Sequence, residues 1–359
     1  MRPAFHGPGG RGAPRSGALV GVLALVFVLA SCSTTPTARG VAASTTSTTG
    51  APTTTTTTAP PGPSPLPVPA ALTPFAPPST ATDGTWAAVG RTVNGFPAVY
   101  ETRLVPPGGT AEAGIAWMDT NLLGAQLYSG SKSPGGGPYM FTAPVQPAQA
   151  ATLVAAFNGG FLMKDAQGGY FTEGRTIVPL VNGAASLVIR SDGLVTVGAW
   201  GSDVAMTPDV VAVRQNLVPL VEGGQPTAQA ANPNWIVWGA TCGVSSCSGA
   251  GIENQWRSGA GVTANGALVY VAGPALDPLQ LAQLLVRAGV VRGMELDINP
   301  SWPVFATYAP PVGAPAGPSN GSSMPPAADQ GPATFFEASW ARDFITMSAR
   351  TTPVNAPSG

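Results

Sequence analysis

The stretch 256–302 constrains this chain most, because within it a strand hairpin, a helix and a further strand follow one another with clear punctuation. Val262-Thr263-Ala264 and Ala267-Leu268-Val269-Tyr270-Val271 flank Asn265-Gly266, a pair whose positive φ angles suit a tight hairpin turn. Asp277 is placed to cap a helix, Leu281, Leu284, Leu285 and Ala288 recur at helical spacing, and Gly289 supplies the stop. Such a helix lays one face on a sheet. The run from Val290 to Ile298 then reads as a strand. On a strand Glu295 and Asp297 share a face, with Cα atoms about 6.6 Å apart, while Met294, Leu296 and Ile298 take the other. Two carboxylates that close repel when both ionise, which raises one pKa or invites a cation between them.

A second pattern lies in Ala155-Ala156-Phe157-Asn158-Gly159-Gly160-Phe161, where an apolar strand runs into an Asn and paired glycines. The glycines let backbone or ligand approach closely, and the amide offers both a donor and an acceptor. Short strand-like runs broken by Gly, Pro and Asn dominate from Trp86 onward, with Asp192-Gly193 as another hairpin signal and a short helix expected near 147–154. Phe344-Ile345-Thr346-Met347 is expected to pair as a final strand and bring Arg342 and Asp343 towards the Asp297 end of the sheet. The fold class expected is α+β: a single domain of mixed, curved β-sheets with few helices, spanning 83–350.

Taken together, and with Arg257-Ser258-Gly259-Ala260-Gly261 before the hairpin, the order of motifs resembles the phosphodiester glycosidase family over roughly 86–350. Asn158, Gly159, Gly160 and Phe161 match that family's Asn-Gly-Gly-Phe-Phe element, with Leu162 in the last place. Arg257, Ser258, Gly259 and Gly261 match its Arg-Thr-Ala-x-Gly element, and Leu296, Asp297 and Ser301 match parts of its Leu-Asp-Gly-Gly-Gly-Ser element. Ile298-Asn299-Pro300 stand where the family has glycines. Three glycines would form a backbone nest for an anion, whereas Pro300 has no N–H to give.

The resemblance implies hydrolysis of a sugar 1-phosphodiester, with Asp297 and Glu295 as catalytic carboxylates. Asn158, Gly159, Gly160, Arg257, Asn299, Ser301 and Trp302 are the substrate-binding candidates. Arg257 would hold the phosphate with its planar fork; the plainer alternative is an ion pair with Glu253. Trp302 and Tyr308 are candidates to stack on a sugar, and Lys164 and Glu173 to line the pocket. Calcium or magnesium is a candidate cofactor on Glu295, Asp297 and Asn299, although one strand end cannot close a six- to eight-coordinate shell. The alternative function is a non-catalytic glycan-binding or scaffold lipoprotein that keeps the fold.

The N-terminus speaks to location. Arg2, Arg11 and Arg15 precede an apolar run ending in Leu29-Ala30-Ser31-Cys32, the pattern of a bacterial lipoprotein signal over 1–32 with Cys32 as the lipidated residue. Residues 33–82 are Thr-, Pro- and Ala-rich and expected to be a disordered tether, with a reach on the order of 100 Å as an extended chain. Residues 309–332 are expected to form a long Pro/Gly-rich exposed loop and 351–359 a disordered tail. Cys242 and Cys247 are expected to pair in an oxidising compartment. The single histidine, His6, falls in the signal, so Ser-His-Asp, Cys-His and histidine-rich zinc chemistry are excluded for the mature chain. With charged residues at 9% and a net charge of −1, no basic surface for nucleic acid exists. The partners expected are cell-wall or exopolysaccharide sugar phosphates, met by a monomer outside the bacterial cell membrane.

Overall fold

The computed structural model describes residues 64–77, 83–232, 238 and 255–350. Cys32, Cys242, Cys247, Glu253, most of the Thr-rich stretch and 351–359 lie outside the described residues. The chain enters through β1 (Ala87–Val93), β2 (Phe96–Leu104), β3 (Ala113–Met118) and β4 (Leu123–Tyr128). Then come α1 (Pro147–Ala150), β5 (Leu153–Asn158), β6 (Tyr170–Thr172), β7 (Arg175–Val178), β8 (Ala185–Arg190), β9 (Val195–Ala199), β10 (Val210–Gln215), β11 (Pro219–Glu222) and β12 (Gln225–Pro226). It closes with β13 (Gln255–Thr263), β14 (Leu268–Leu276), α2 (Pro278–Arg287), β15 (Val290–Glu295), β16 (Phe305–Tyr308), β17 (Gly321–Ser323) and β18 (Phe344–Ala349).

These strands form an eight-stranded sheet, β1-β2-β3-β14-β13-β15-β11-β12, and two five-stranded sheets, β7-β6-β10-β8-β9 and β17-β16-β5-β18-β4. The architecture is nearly all-β with few helices. The mixed sheets expected from the sequence are instead antiparallel in every ladder among the described strands. The reason is visible around α2. Its crossover would make β14 and β15 parallel neighbours, but β13 sits between them and pairs antiparallel with both.

α2 forms where the sequence predicts it. Asp277 accepts from the Gln280 amide at 2.6 Å while the Gln280 side chain accepts from the Asp277 amide at 3.0 Å, a reciprocal capping box. Gly289 ends the helix at φ 88°. Leu281, Leu284 and Leu285 are fully buried and pack with Leu104, Ile115, Val269 and Val271 on one face of the large sheet. Its opposite face, with Val99, Met118, Tyr270, Met294 and Leu296, shares a core with the two smaller sheets. Both hairpin turns differ in detail from expectation: Gly266 (φ 87°) and Gly193 (φ 78°) have positive φ, but Asn265 and Asp192 do not. Thr263 N–H bonds the Ala267 carbonyl, and Arg190 N–H the Leu194 carbonyl. Each loop is therefore a longer turn with one left-handed Gly.

Two segments, one expected to be a disordered tether and one an exposed loop, make more contacts with the domain than expected. Residues 64–77, assigned to the tether, lie on the domain: Leu66 N–H donates to Asp119 Oδ2 at 2.7 Å, and the Arg287 guanidinium sits 4.0 Å from the Phe75 ring centre. Leu66, Leu72 and Phe75 cover the apolar cluster around α2. These few large side chains, diluted among prolines, anchor the segment. Within 309–332, β17 pairs with β16, and Ala316 and Met324 are buried, so this stretch is only partly an exposed loop.

Candidate active site

The three motifs converge at the seam between the sheets, and Ser258 is the joint. Asn158, last residue of β5, donates from its amide to Ser258 Oγ at 3.1 Å. Its amide oxygen accepts from the Tyr270 hydroxyl at 2.7 Å and the Val304 N–H at 3.2 Å. Ser258 Oγ also accepts the Asp297 N–H at 3.1 Å and donates to the Asp297 carbonyl at 3.2 Å. The amide of Asn158 is thus consumed internally and locks β5 to β13 and to the end of β15.

Glu295 and Asp297 do not form the expected pair on one strand face. β15 ends at Glu295. Asp297 Oδ1 accepts the amides of Ile298 at 2.8 Å and Asn299 at 3.2 Å, an Asx-type turn that bends the chain out of the sheet. Ile298 consequently joins the apolar cluster around α2, whereas Met294 and Leu296 lie in the opposite core. Glu295, fully buried, forms an ion pair with the equally buried Arg257. Arg257 also donates to the Leu276 carbonyl at 2.8 Å and the Trp238 carbonyl at 3.4 Å. Burial pushes the Glu295 carboxyl up, and Arg257 holds it back. The guanidinium expected to hold phosphate is therefore engaged beneath the site.

Asp297 has a different neighbour. Its Oδ2 lies 3.6 Å from the Arg342 guanidinium, too far for a hydrogen bond. Oδ2 is buried without a hydrogen-bond partner, and so is one Arg342 terminal nitrogen. Burial pushes the Asp297 carboxyl up to about 7, with Arg342 and the Asn299 and Ile298 amides opposing. Arg342 stacks on Trp302, 4.5 Å from the ring centre. Above them Asn299 is exposed and Ser301 and Trp302 are half-buried, so the site lies just below the surface.

Beneath it, Arg214 and Asp343 form a second fully buried ion pair at 2.7 Å. They explain the glycines. A Cβ on Gly159 would fall 2.0 Å from Asp343 Oδ2, and one on Gly160 would lie 3.0 Å from an Arg214 nitrogen. Asn216 completes the frame, accepting the Phe161 amide at 3.1 Å and donating to the carbonyls of Glu295 and Leu296 at 2.9 and 3.1 Å.

In the variant segment Asn299 Oδ1 accepts the Ser301 amide at 3.0 Å, and Ser301 Oγ donates to Asp329 at 3.2 Å. Amides that glycines would turn towards an anion here bond to the segment's own side chains. Tyr308 is buried with its hydroxyl on the Pro332 carbonyl at 2.8 Å, away from any sugar-stacking position. Lys164 is exposed, and Glu173 lines a separate cleft. Among the described residues no three His, Cys, Asp or Glu side chains gather as a metal site. Glu295 and Asp297 point to different guanidinia, so they do not offer the expected joint set of oxygen ligands.

Arg342 and Asp343 lie near Asp297 as the final strand was expected to bring them, whereas Arg214, Asn216 and Tyr270 were not assigned to the site. The available cue was an arginine inside the apolar strand Val210-Val211-Ala212-Val213-Arg214, since a charged residue is buried only when paired.

No protein-family model matches this chain, and no curated protein does. Among solved structures it is similar to the catalytic domain of zebrafish N-acetylglucosamine-1-phosphodiester alpha-N-acetylglucosaminidase auto-inhibited by pro-peptide, at 15% identity and a TM-score of 0.42 over 74% of this chain and 88% of that one. It is also similar to a hypothetical protein from Synechocystis, at 13% identity and a TM-score of 0.36 over 74% of this chain and 64% of that one. A putative exported protein from Burkholderia pseudomallei matches at 12% identity and a TM-score of 0.36 over 66% of this chain and 74% of that one. Likeness at these values assigns no activity.

Proposed function

We propose that this chain hydrolyses a sugar 1-phosphodiester in the bacterial cell envelope, held there by a lipid on Cys32, with cell-wall or exopolysaccharide sugar phosphates as substrates. The observation that carries the reading is Asp297: a dry carboxylate at a strand end, with one oxygen free of hydrogen bonds beside a partly unpaired guanidinium.

Phosphate is a good leaving group, so the chemistry asks for little acid assistance. Water attacks the anomeric carbon, the bond from that carbon to the phosphate oxygen breaks, and the phosphate leaves with the bonding electrons. Asp297 takes the proton of the attacking water and offsets oxocarbenium-like charge. Arg342, rather than Arg257, holds the phosphate oxygens, and Trp302 orients Arg342 by stacking. Arg257 and Glu295 support the frame below.

The alternative, a glycan-binding protein without turnover, draws support from one observation: the Asn158 amide and the 298–301 amides are already used inside the protein. The two readings separate on one experiment. The full chain is incubated with a synthetic N-acetylglucosamine-1-phosphodiester and released sugar is followed by mass spectrometry, with Asp297→Asn as control. Hydrolysis predicts release that falls by roughly 10²–10⁴-fold in the variant. Binding of the diester without release by either protein would refute turnover.

A further inference from the structure

Away from Asp297, an open cleft of ≈ 590 Å³ runs along the outer edge of β4. That volume lies in the ordinary range of ligand sites, about 300–1,000 Å³. Gln126, Phe141, Glu173, Asp192, Val211 and Arg350 are among its lining residues. One end lies at Gly124, beside Arg350, and the other at Phe141, whose ring meets Tyr128 edge-on at 5.6 Å. From Gly124 to Tyr128 along β4 that is about 13 Å at roughly 3.3 Å per residue.

Arg350 gives the cleft its chemistry. It is 9% exposed, and its Nε bonds the carbonyls of Thr120 and Leu123, each at 2.9 Å. One terminal nitrogen holds the Asp192 carbonyl, and the other, Nη2, is buried with no hydrogen-bond partner. Arg190, with 47% of its side chain exposed, is only loosely paired, 3.6 Å from Asp209. The acids of the cleft are internally occupied. Glu173 accepts the amides of Met140 and Phe141 at 3.0 and 2.9 Å, and Asp192 accepts the Leu194 amide at 2.9 Å. Two arginines and two carboxylates balance the formal charge of the lining, but its unmet hydrogen-bonding capacity is a guanidinium donor, which suits an anionic oxygen.

The strand edge argues against an extended peptide as occupant. Ala125 N–H is taken by the Gly193 carbonyl, and Ser129 N–H by the Phe141 carbonyl, so a ladder along β4 is interrupted at both ends. A chain of rings is favoured instead by hydroxyl and amide side chains, Ser191, Ser348 and Gln126, set among Phe141 and Val211.

We propose that this cleft binds an acidic oligosaccharide, with a carboxylate or phosphate oxygen on Arg350 and Arg190 and a sugar ring against Phe141. The site is separate from the Asp297 centre and does not depend on its function. β18 links them physically: Asp343 precedes it and Arg350 follows it, about 23 Å apart at roughly 3.3 Å per residue.

Calorimetry on the full chain tests this with three probes: a uronic-acid hexasaccharide, a hexamer of sugars joined by phosphodiesters and a neutral N-acetylglucosamine hexasaccharide. At least one acidic probe is expected to bind about tenfold or more tightly than the neutral one, with affinity falling as salt rises. Binding of the uronate assigns a carboxylate source, and binding of the sugar phosphodiester a phosphate source. Arg350→Gln is expected to abolish binding, but it also removes three carbonyl contacts and can unfold the chain. Arg190→Ala and Val211→Glu change exposed positions and are each expected to weaken the acidic probe by about tenfold. No binding by either acidic probe, equal binding of the neutral one, or unchanged affinity in both exposed-site variants of a folded protein would overturn the proposal.

Discussion

Glu295 and Asp297 stand two residues apart, and each meets an arginine, yet the strand end divides their fates. Glu295 is still on β15 and faces Arg257 beneath α2, where both side chains have no solvent exposure. Asp297, bulged opposite Ser258 just beyond β15, faces Arg342 at a distance that leaves one polar atom of each without a hydrogen bond. Each carboxylate keeps one oxygen without a hydrogen bond, so the difference lies in contact and depth: Glu295 touches Arg257 with no exposure, whereas Asp297 stands 3.6 Å from a slightly exposed Arg342 just below the surface, where a ligand could reach the pair. A bulge that sets both Leu296 and Asp297 opposite Ser258 breaks the alternation between them, and the Asx turn then carries the chain away.

The comparison breaks most visibly at Arg257. Arg257→Ala strands a buried carboxylate and is expected to cost about 3–5 kcal/mol in denaturant unfolding, while Arg257→Met combined with Glu295→Leu recovers most of it. Loss of turnover with unchanged stability would instead put this pair in the active site.

The next largest effect is a pH dependence. The Asp297 carboxyl is raised from 3.8 to about 7 in the folded protein, so the fold binds its proton more tightly than the unfolded chain does. Its contribution to stability is complete below the unfolded value, near pH 4, and is lost as pH rises through about 7. The loss is at most roughly 4 kcal/mol. Unfolding of wild type and Asp297→Asn across pH 4 to 8 checks this: the wild type is expected to lose stability relative to the variant as pH rises, and a constant difference would contradict it.

Arg342 sharpens the open side. Arg342→Ala is expected to weaken binding of the diester phosphate by about 2–3 kcal/mol, measured by calorimetry, with much less change in unfolding than Arg257→Ala produces. Trp302→Ala removes the ring stacked on Arg342 and is expected to cost about 1 kcal/mol in the same binding measurement.

Local rules made much of this fold legible. Asp277, the apolar spacing to Ala288 and Gly289 place α2 well, and alternating runs place most strands of the large sheet. What short-range signals could not convey was which strands neighbour each other: β13 lies between β14 and β15, and β18 lies between β5 and β4. The site was legible to the same extent. Asn158, Ser258 and Asp297 converge, but their polar groups are largely spent on one another, and the open guanidinium is that of Arg342, which the final strand was expected to bring near without a role. Arg214 and Asp343 are paired across the sequence, so neither position alone reveals that the paired glycines exist to admit their ion pair.

A carbon-13 NMR titration of aspartate carboxyls, with Asp297 identified by its loss in Asp297→Asn, tests the separation of the two pairs without any assumed substrate. A carboxyl that protonates near pH 7 and moves on Arg342→Ala is the expected result; one that titrates near the ordinary 3.9 would show a solvated side chain and remove the basis for a dry, open site at Asp297.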